Sequence, residues 1–268
     1  MMRGRFRRFG APLMLVAIVL AGCGHPNDGD GGTRTISVAA AADLKFALDE
    51  IADAFQSENE DVTVSVSYGS SGNFVQQVRN GAPFDLYLSA DITLAEMLAD
   101  EGFADPRDVF GYAVGRLVVW AAHGSPADPE AGISGLTRDD VTTVAIANPQ
   151  HAPYGQAAEA AMRTAGVLSA LQGKLVLGEN IAQAAEFAST GNADAGILAL
   201  SLALSPGLRG HGTFTEVPLD DFPRLVQGGV VLGGAPEAAH AFAEFLTSPA
   251  GQDILADYGF YPPTDGEG

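Results

Sequence analysis

Four short stretches of this sequence join small or hydroxyl residues to the start of a helix-like pattern. They are AAADL (40–44), YGSSGN (68–73), APYGQ (152–156) and GENIA (178–182). The first N–H groups of a helix have no intrahelical acceptor. With the positive end of the helix dipole they attract anions without any formal charge. YGSSGN contains no Lys or Arg; Ser70, Ser71, Gly72 and Asn73 offer hydroxyls, an amide and bare backbone. A fixed ring of such neutral donors suits an oxyanion that only accepts hydrogen bonds, and it leaves a protonated one facing an unmatched donor. Each corner also has a plainer reading. Asp43, Ser70, Ser71, Asn73 and Asn180 are good helix caps, and Pro153 is ordinary near a helix start. Four such corners, two in each half of the chain, point to one shared site between two domains.

The other chemistry-bearing residues are dispersed. His25, His123, His151, His211 and His240 have no metal-ligand spacing, and no GxSxG, phosphate-binding loop or GxGxxG opening a helix occurs. No cofactor and no enzymatic activity are therefore expected. His151 lies near the third corner and reads as a loop residue bracing the site. Trp120 reads as core, and Asp85 and Asp91 as caps around a strand end. The net charge of −19 argues against a nucleic-acid partner, since phosphate binding needs a basic footprint.

From Thr35 onward, apolar strands alternate with helix-length segments. ISVAAAA reads as a buried strand. LKFALDEIADAFQ reads as a helix with Leu44, Leu48, Ile51, Ala52 and Phe55 on one face. VTVSVSYG, NFVQQVRNG, FDLYLSAD and ITLAEMLADEG continue the rhythm, which predicts a parallel sheet with helices on both faces. GRLVVWAA (115–122) is a strand, and after the loop HGSPADPEAG a second α/β unit begins with VTTVAIANP. VQGGVVLGG is a further strand, and PEAAHAFAEFLTS and PAGQDILADYG are closing helices.

The first 22 residues combine Arg3, Arg5, Arg7 and Arg8 with the short apolar run APLMLVAIVL, the pattern of a secretory signal. They end in LAGC, which resembles a bacterial lipobox and implies cleavage before Cys23 and its lipidation, tethering the chain to a membrane surface. Cys23 is the sole cysteine, so no internal disulfide is expected. The mature chain would carry 10 Lys and Arg against 33 Asp and Glu, a net −23. Residues 23–34 form a polar, Gly-rich tether.

ISVAAAADLKFALDEIADAF, SYGSSGNFVQQVRNGAPFDLYLSAD, NPQHAPYGQAAEAAM, GENIAQAAEFASTGNADAGILALS and FLTSPAGQDILADYGF together resemble the periplasmic molybdate-binding proteins (ModA) of ABC transporters, over residues 35–261. The resemblance implies an α/β, type II periplasmic-binding fold with two lobes and a ligand cleft between them. It places lobe I at residues 35–116 plus 228–268 and lobe II at 117–227, with a hinge near 115–118 and 226–230. It implies a monomer outside the cytoplasm that captures molybdate, and tungstate with it, and delivers it to a membrane permease. The family's ligand positions fall on Ser71 (hydroxyl and N–H), beside Ser70, and on the backbone donors of Tyr154 and Ile181. These contact the oxyanion and not the metal itself. The first corner departs: Ala42 and Asp43 stand where members carry Ser or Thr-Asn. A carboxylate there repels a dianion. Either its side chain turns back to cap its helix, which is favoured, leaving backbone N–H groups for the ligand, or it pairs with a protonated oxyanion such as hydrogen phosphate. Ala199 stands where some members have a ligand-reaching tyrosine. Sulfate or phosphate binding, or a periplasmic hydrolase on this fold, are the alternatives.

Overall fold

The computed structural model describes residues 33–263. Residues 1–32, with the expected signal and Cys23, and residues 264–268 lie outside the described residues.

The chain opens with β1 (Arg34–Ala41), a 3-10 turn (Ala42–Leu44) and α1 (Lys45–Glu58). β2 (Val62–Gly69), α2 (Ser71–Arg79), β3 (Leu86–Ser89), α3 (Ile92–Asp100) and β4 (Val109–Gly115) follow. A single residue, Arg116, separates β4 from β5 (Leu117–Ala122). Then come α4 (Gly132–Gly135), β6 (Val144–Ala147), α5 (Pro153–Thr164), α6 (Leu168–Leu171), β7 (Leu175–Gly178), α7 (Ile181–Ser189), β8 (Ala195–Ala199), α8 (Leu200–Ala203) and β9 (Gly212–Glu216). β10 (Leu225–Val231), α9 (Glu237–Thr247) and α10 (Pro249–Asp257) complete the order.

The strands form two five-stranded sheets, β2-β1-β3-β10-β4 and β7-β6-β8-β5-β9, and each is the sheet of one α/β lobe. Both are mixed rather than parallel. β10 runs antiparallel to β3 and β4, and β5 antiparallel to β8 and β9. The reason is topological: these strands enter a sheet directly from the other lobe, without the crossover helix that a parallel connection requires. β10 is in the first sheet from Leu225 on, so the return crossing is 217–224. The expected hinge at 226–230 and the expected lobe boundary at 228 both fall inside this strand. Likewise VFGYAVGRLVVWAA is broken at Arg116 into two strands of different sheets. Arg116 is pinned there by Glu216 at 2.7 Å and by the face of the Tyr261 ring.

α1 buries Leu48, Ile51, Ala52 and Phe55 of the stripe that its spacing predicts, with Ala47 beside them, while Leu44 is buried in the 3-10 turn before it. Phe55 meets Phe242 of α9 edge-on at 5.2 Å, and burying such a side chain contributes about 1.5–3 kcal/mol. Two apolar layers cover the faces of the first sheet. The core of the second lobe surrounds Trp120, Ile146, Ile197 and Met162. Ala41, Ala42 and Ala90 of the first lobe join that second cluster beside Tyr154 and Ile181. The lobes are therefore packed against each other, in a closed arrangement.

Candidate functional site

All four corners converge. Ala42, Asp43, Ser70, Ser71, Tyr154 and Ile181 line one small cavity between the sheets, together with Ala90 after β3. No Lys, Arg or His is in its lining.

At the second corner Ser71 is the first residue of α2 and is buried. Its Oγ accepts the Ala90 N–H at 3.2 Å, and its carbonyl accepts from the Tyr87 hydroxyl at 2.9 Å. A hydroxyl has one proton and two lone pairs, so the bond from Ala90 leaves the Ser71 proton for another acceptor. Ser70 is the N-cap by position and makes no side-chain cap bond. Its Oγ donates across the cleft to the His151 carbonyl at 2.5 Å, and His151 Nδ1 lies 2.8 Å from the same Oγ. With the hydroxyl proton committed to the carbonyl, Nδ1 carries the hydrogen of the second bond. Gly72 N–H also donates to the His151 carbonyl, at 2.9 Å. Ser70 thus lines the cavity while its hydroxyl joins the lobes. Asn73 lies inside α2 and is not its cap.

At the third corner, Ala152 precedes Pro153, which supplies no N–H, so Tyr154 carries the first amide of α5. The Tyr154 side chain is buried and its hydroxyl reaches the lobe crossing: a Cβ on Gly115 would lie 2.3 Å from it. At the fourth corner, Asn180 caps α7, accepting from Ala182 N–H at 3.0 Å and Gln183 N–H at 3.1 Å. The Ala184 N–H goes to the Asn180 carbonyl. These bonds leave the Ile181 N–H as the donor that the cap does not take.

The first corner differs from expectation. Asp43 does not cap α1. It sits inside the 3-10 turn Ala42–Leu44, which has no side-chain cap bond, and α1 starts beyond it at Lys45. Its carboxylate is held elsewhere: Gln227 Nε2 donates to Oδ2 at 2.6 Å, and that nitrogen also donates to the Tyr154 hydroxyl oxygen at 3.1 Å. Ser201 Oγ of α8 donates to the Asp43 carbonyl at 2.8 Å. Asp43 is 1 % exposed and Gln227 0 %. Burial raises the Asp43 carboxyl from its usual 3.8 to about 6, and Gln227, Tyr154 and the backbone amides of Asp43 and Leu44 only partly oppose this.

Gln227 was not among the expected site residues. It is a lone polar residue in the apolar strand LVQGGVV, which is the signal that could have marked it. The register of β10 against β4 shifts between Gln227 and Gly228, and such a bulge re-aims a side chain. His151, in the loop before α5, is the second partner that joins the lobes. Ala199, 0 % exposed, ends β8. Asp91 caps α3 through the Thr93 N–H, and Trp120 is core. Among the described residues no group of three His, Cys, Asp or Glu could hold a metal, and no helix is long and apolar enough to cross a membrane.

Two α/β lobes joined by two crossings and closed on one small cavity define a protein that encloses a solute. The chain belongs to the family described as bacterial extracellular solute-binding protein, whose sequence profile matches residues 36–261. It is 39% identical to the molybdate-binding protein ModA of Rhodobacter capsulatus, over 84% of this chain and 87% of that one. Its fold matches the solved periplasmic molybdate-binding protein of Azotobacter vinelandii with a TM-score of 0.80 at 30% identity, covering 85% of this chain and 100% of that one. A Bacillus subtilis chain, 25% identical over 91% of this one and 93% of its own length, bears the name ABC transporter substrate-binding lipoprotein YvgL.

Proposed function

We propose that this chain captures molybdate, and tungstate with it, between its lobes and delivers it to the membrane permease of an ABC importer. The observation that carries this is the convergence of four strand-to-helix corners on one small cavity without a cation in its lining. In this reading the Ser71 hydroxyl and N–H, the amides of Tyr154 and Ile181, and backbone at Ala42 and Asp43 surround the oxyanion. Neutral donors cost less to bury than paired cations, and their number and direction select the guest. The chain acts as a monomer and a carrier, not an enzyme, and lipid on Cys23 anchors it outside the cytoplasm. The lobes, 33–115 with 225–263 and 117–216, hinge at Arg116 and 217–224.

A second reading has one observation in its favour. The buried Asp43 carboxyl could match an oxyanion that brings its own proton, such as hydrogen phosphate.

Thermal unfolding of the chain with molybdate, tungstate, sulfate or phosphate separates the two. Molybdate at 100 times its Kd should add about 2.7 kcal/mol of stability. A shift with phosphate and none with molybdate would reverse the assignment.

A further inference from the structure

Asp43 is the one acidic side chain lining the cavity, and one of its two carboxyl oxygens has no donor in the closed site. Gln227 Nε2 donates to Oδ2 and to the Tyr154 oxygen, which engages both of its hydrogens. Asp43 Oδ1 and Gln227 Oε1 remain as two buried acceptors with no donor. The groups facing Asp43 are Gln227 of β10, Tyr154 of α5, Tyr112 of β4, the backbone amides of Asp43 and Leu44 and, at its carbonyl, Ser201 of α8. None is a cation. Tyr154 and Tyr112 are both pushed well above the usual phenol range, by burial first and by Asp43 next, so neither adds charge. A dianion in the same cavity adds repulsion to Asp43 that no cation in the lining offsets.

One proton answers both the Oδ1 mismatch and the repulsion. A carboxylic acid carries an O–H donor. Placed on Oδ1, that proton turns an unmatched acceptor into a donor, and it cancels the like charge.

We propose that Asp43 is a neutral carboxylic acid in the loaded site and donates a hydrogen bond there, so that capture of a doubly charged oxyanion takes up one proton. This rests on the oxyanion reading above. The balance is one ionised Asp43, one dianion and one solvent proton going to a complex that holds all three. In the unloaded, open chain water returns to the carboxyl and draws it toward its usual range. In the closed site burial outweighs the opposing hydrogen bonds and lifts it to about 6, and a bound dianion lifts it further. The loaded state therefore holds the proton more tightly. Affinity is greatest below the open-state value and falls as pH rises, approaching tenfold per pH unit, until the loaded-state value is passed.

Calorimetric titration of the full chain with sodium molybdate at pH 6.5, 7.5 and 8.5, in two buffers of different ionisation heat, tests this. The expected result is uptake approaching one proton per ion, with Kd rising toward tenfold per unit of pH. Asp43→Asn should abolish the uptake, flatten the pH profile and bind at least as tightly as the wild type at pH 8.5. Tight binding by the wild type with no proton uptake overturns the inference and leaves molybdate capture standing. An Asp43→Asn chain that keeps the wild-type uptake also overturns it. If that variant does not fold, the wild-type proton count alone decides. No heat with molybdate at any pH overturns the oxyanion reading itself.

Discussion

The lobes are joined by two clusters built from opposite materials. At one, Ser70 and Gly72 of the first lobe hold the His151 carbonyl of the second, with the imidazole returning to Ser70. His151 and Gly72 are half-buried, and backbone groups make up most of the contact. At the other, Asp43, Gln227 and Tyr154 are fully buried beside the crossing at Gly115 and leave two acceptors unmatched. The first can open and close at little cost, because water replaces each bond it gives up. The second is sensitive to charge, because its carboxyl is held in a poorly polarisable interior. Closure and charge selection are thus assigned to different residues.

Three single substitutions and one double variant sharpen this contrast, from the largest effect to the smallest. Gln227→Leu strips the Asp43 carboxyl of its Nε2 donor and should cost about 1–3 kcal/mol of closed-state stability near neutral pH. Denaturant unfolding of the loaded chain measures it. Adding Asp43→Leu should recover much of the loss, since removing both partners leaves no orphaned polar group. Failure of that recovery would mean that Gln227 acts mainly through packing. Gly72→Ala places a Cβ 2.7 Å from the His151 carbonyl oxygen. It should weaken molybdate binding by about 1–2 kcal/mol and leave the ligand-free chain as stable as before or more so, because Ala is the better helix residue. Parallel calorimetry and ligand-free unfolding read the two signs separately; equal losses in both would break the assignment to closure. His151→Ala keeps the backbone carbonyl and loses only the imidazole bond. A drop of about 1 kcal/mol in affinity is expected, carried by faster release in stopped-flow experiments.

Much of the architecture was legible along the chain. The apolar stripe of α1, the Asn180 cap and the four helix starts follow from local spacing and capping chemistry, which act within a few residues. β4 escaped notice because VFGYAVG runs without a turn signal into RLVVWAA. β9 escaped because GTFTE is an exposed edge strand with little apolar patterning. The sheets' antiparallel members could not be read locally, since direction depends on which lobe the chain arrives from.

By itself, the sequence determined the corners and their neutrality: small residues, a serine that opens a helix, and no Lys or Arg where the donors gather. Only the tertiary structure decided what Asp43 does. Its local setting, ahead of an amphipathic helix, suits a cap, yet its partner is Gln227, 184 residues away. A cap bond is worth about 1 kcal/mol. Packing carries the turn Ala42–Leu44 into the closed interface, where the first need of a carboxyl is a buried donor, and the bulge in β10 supplies it. The same burial makes its proton, rather than its position in the sequence, the property that matters to the guest.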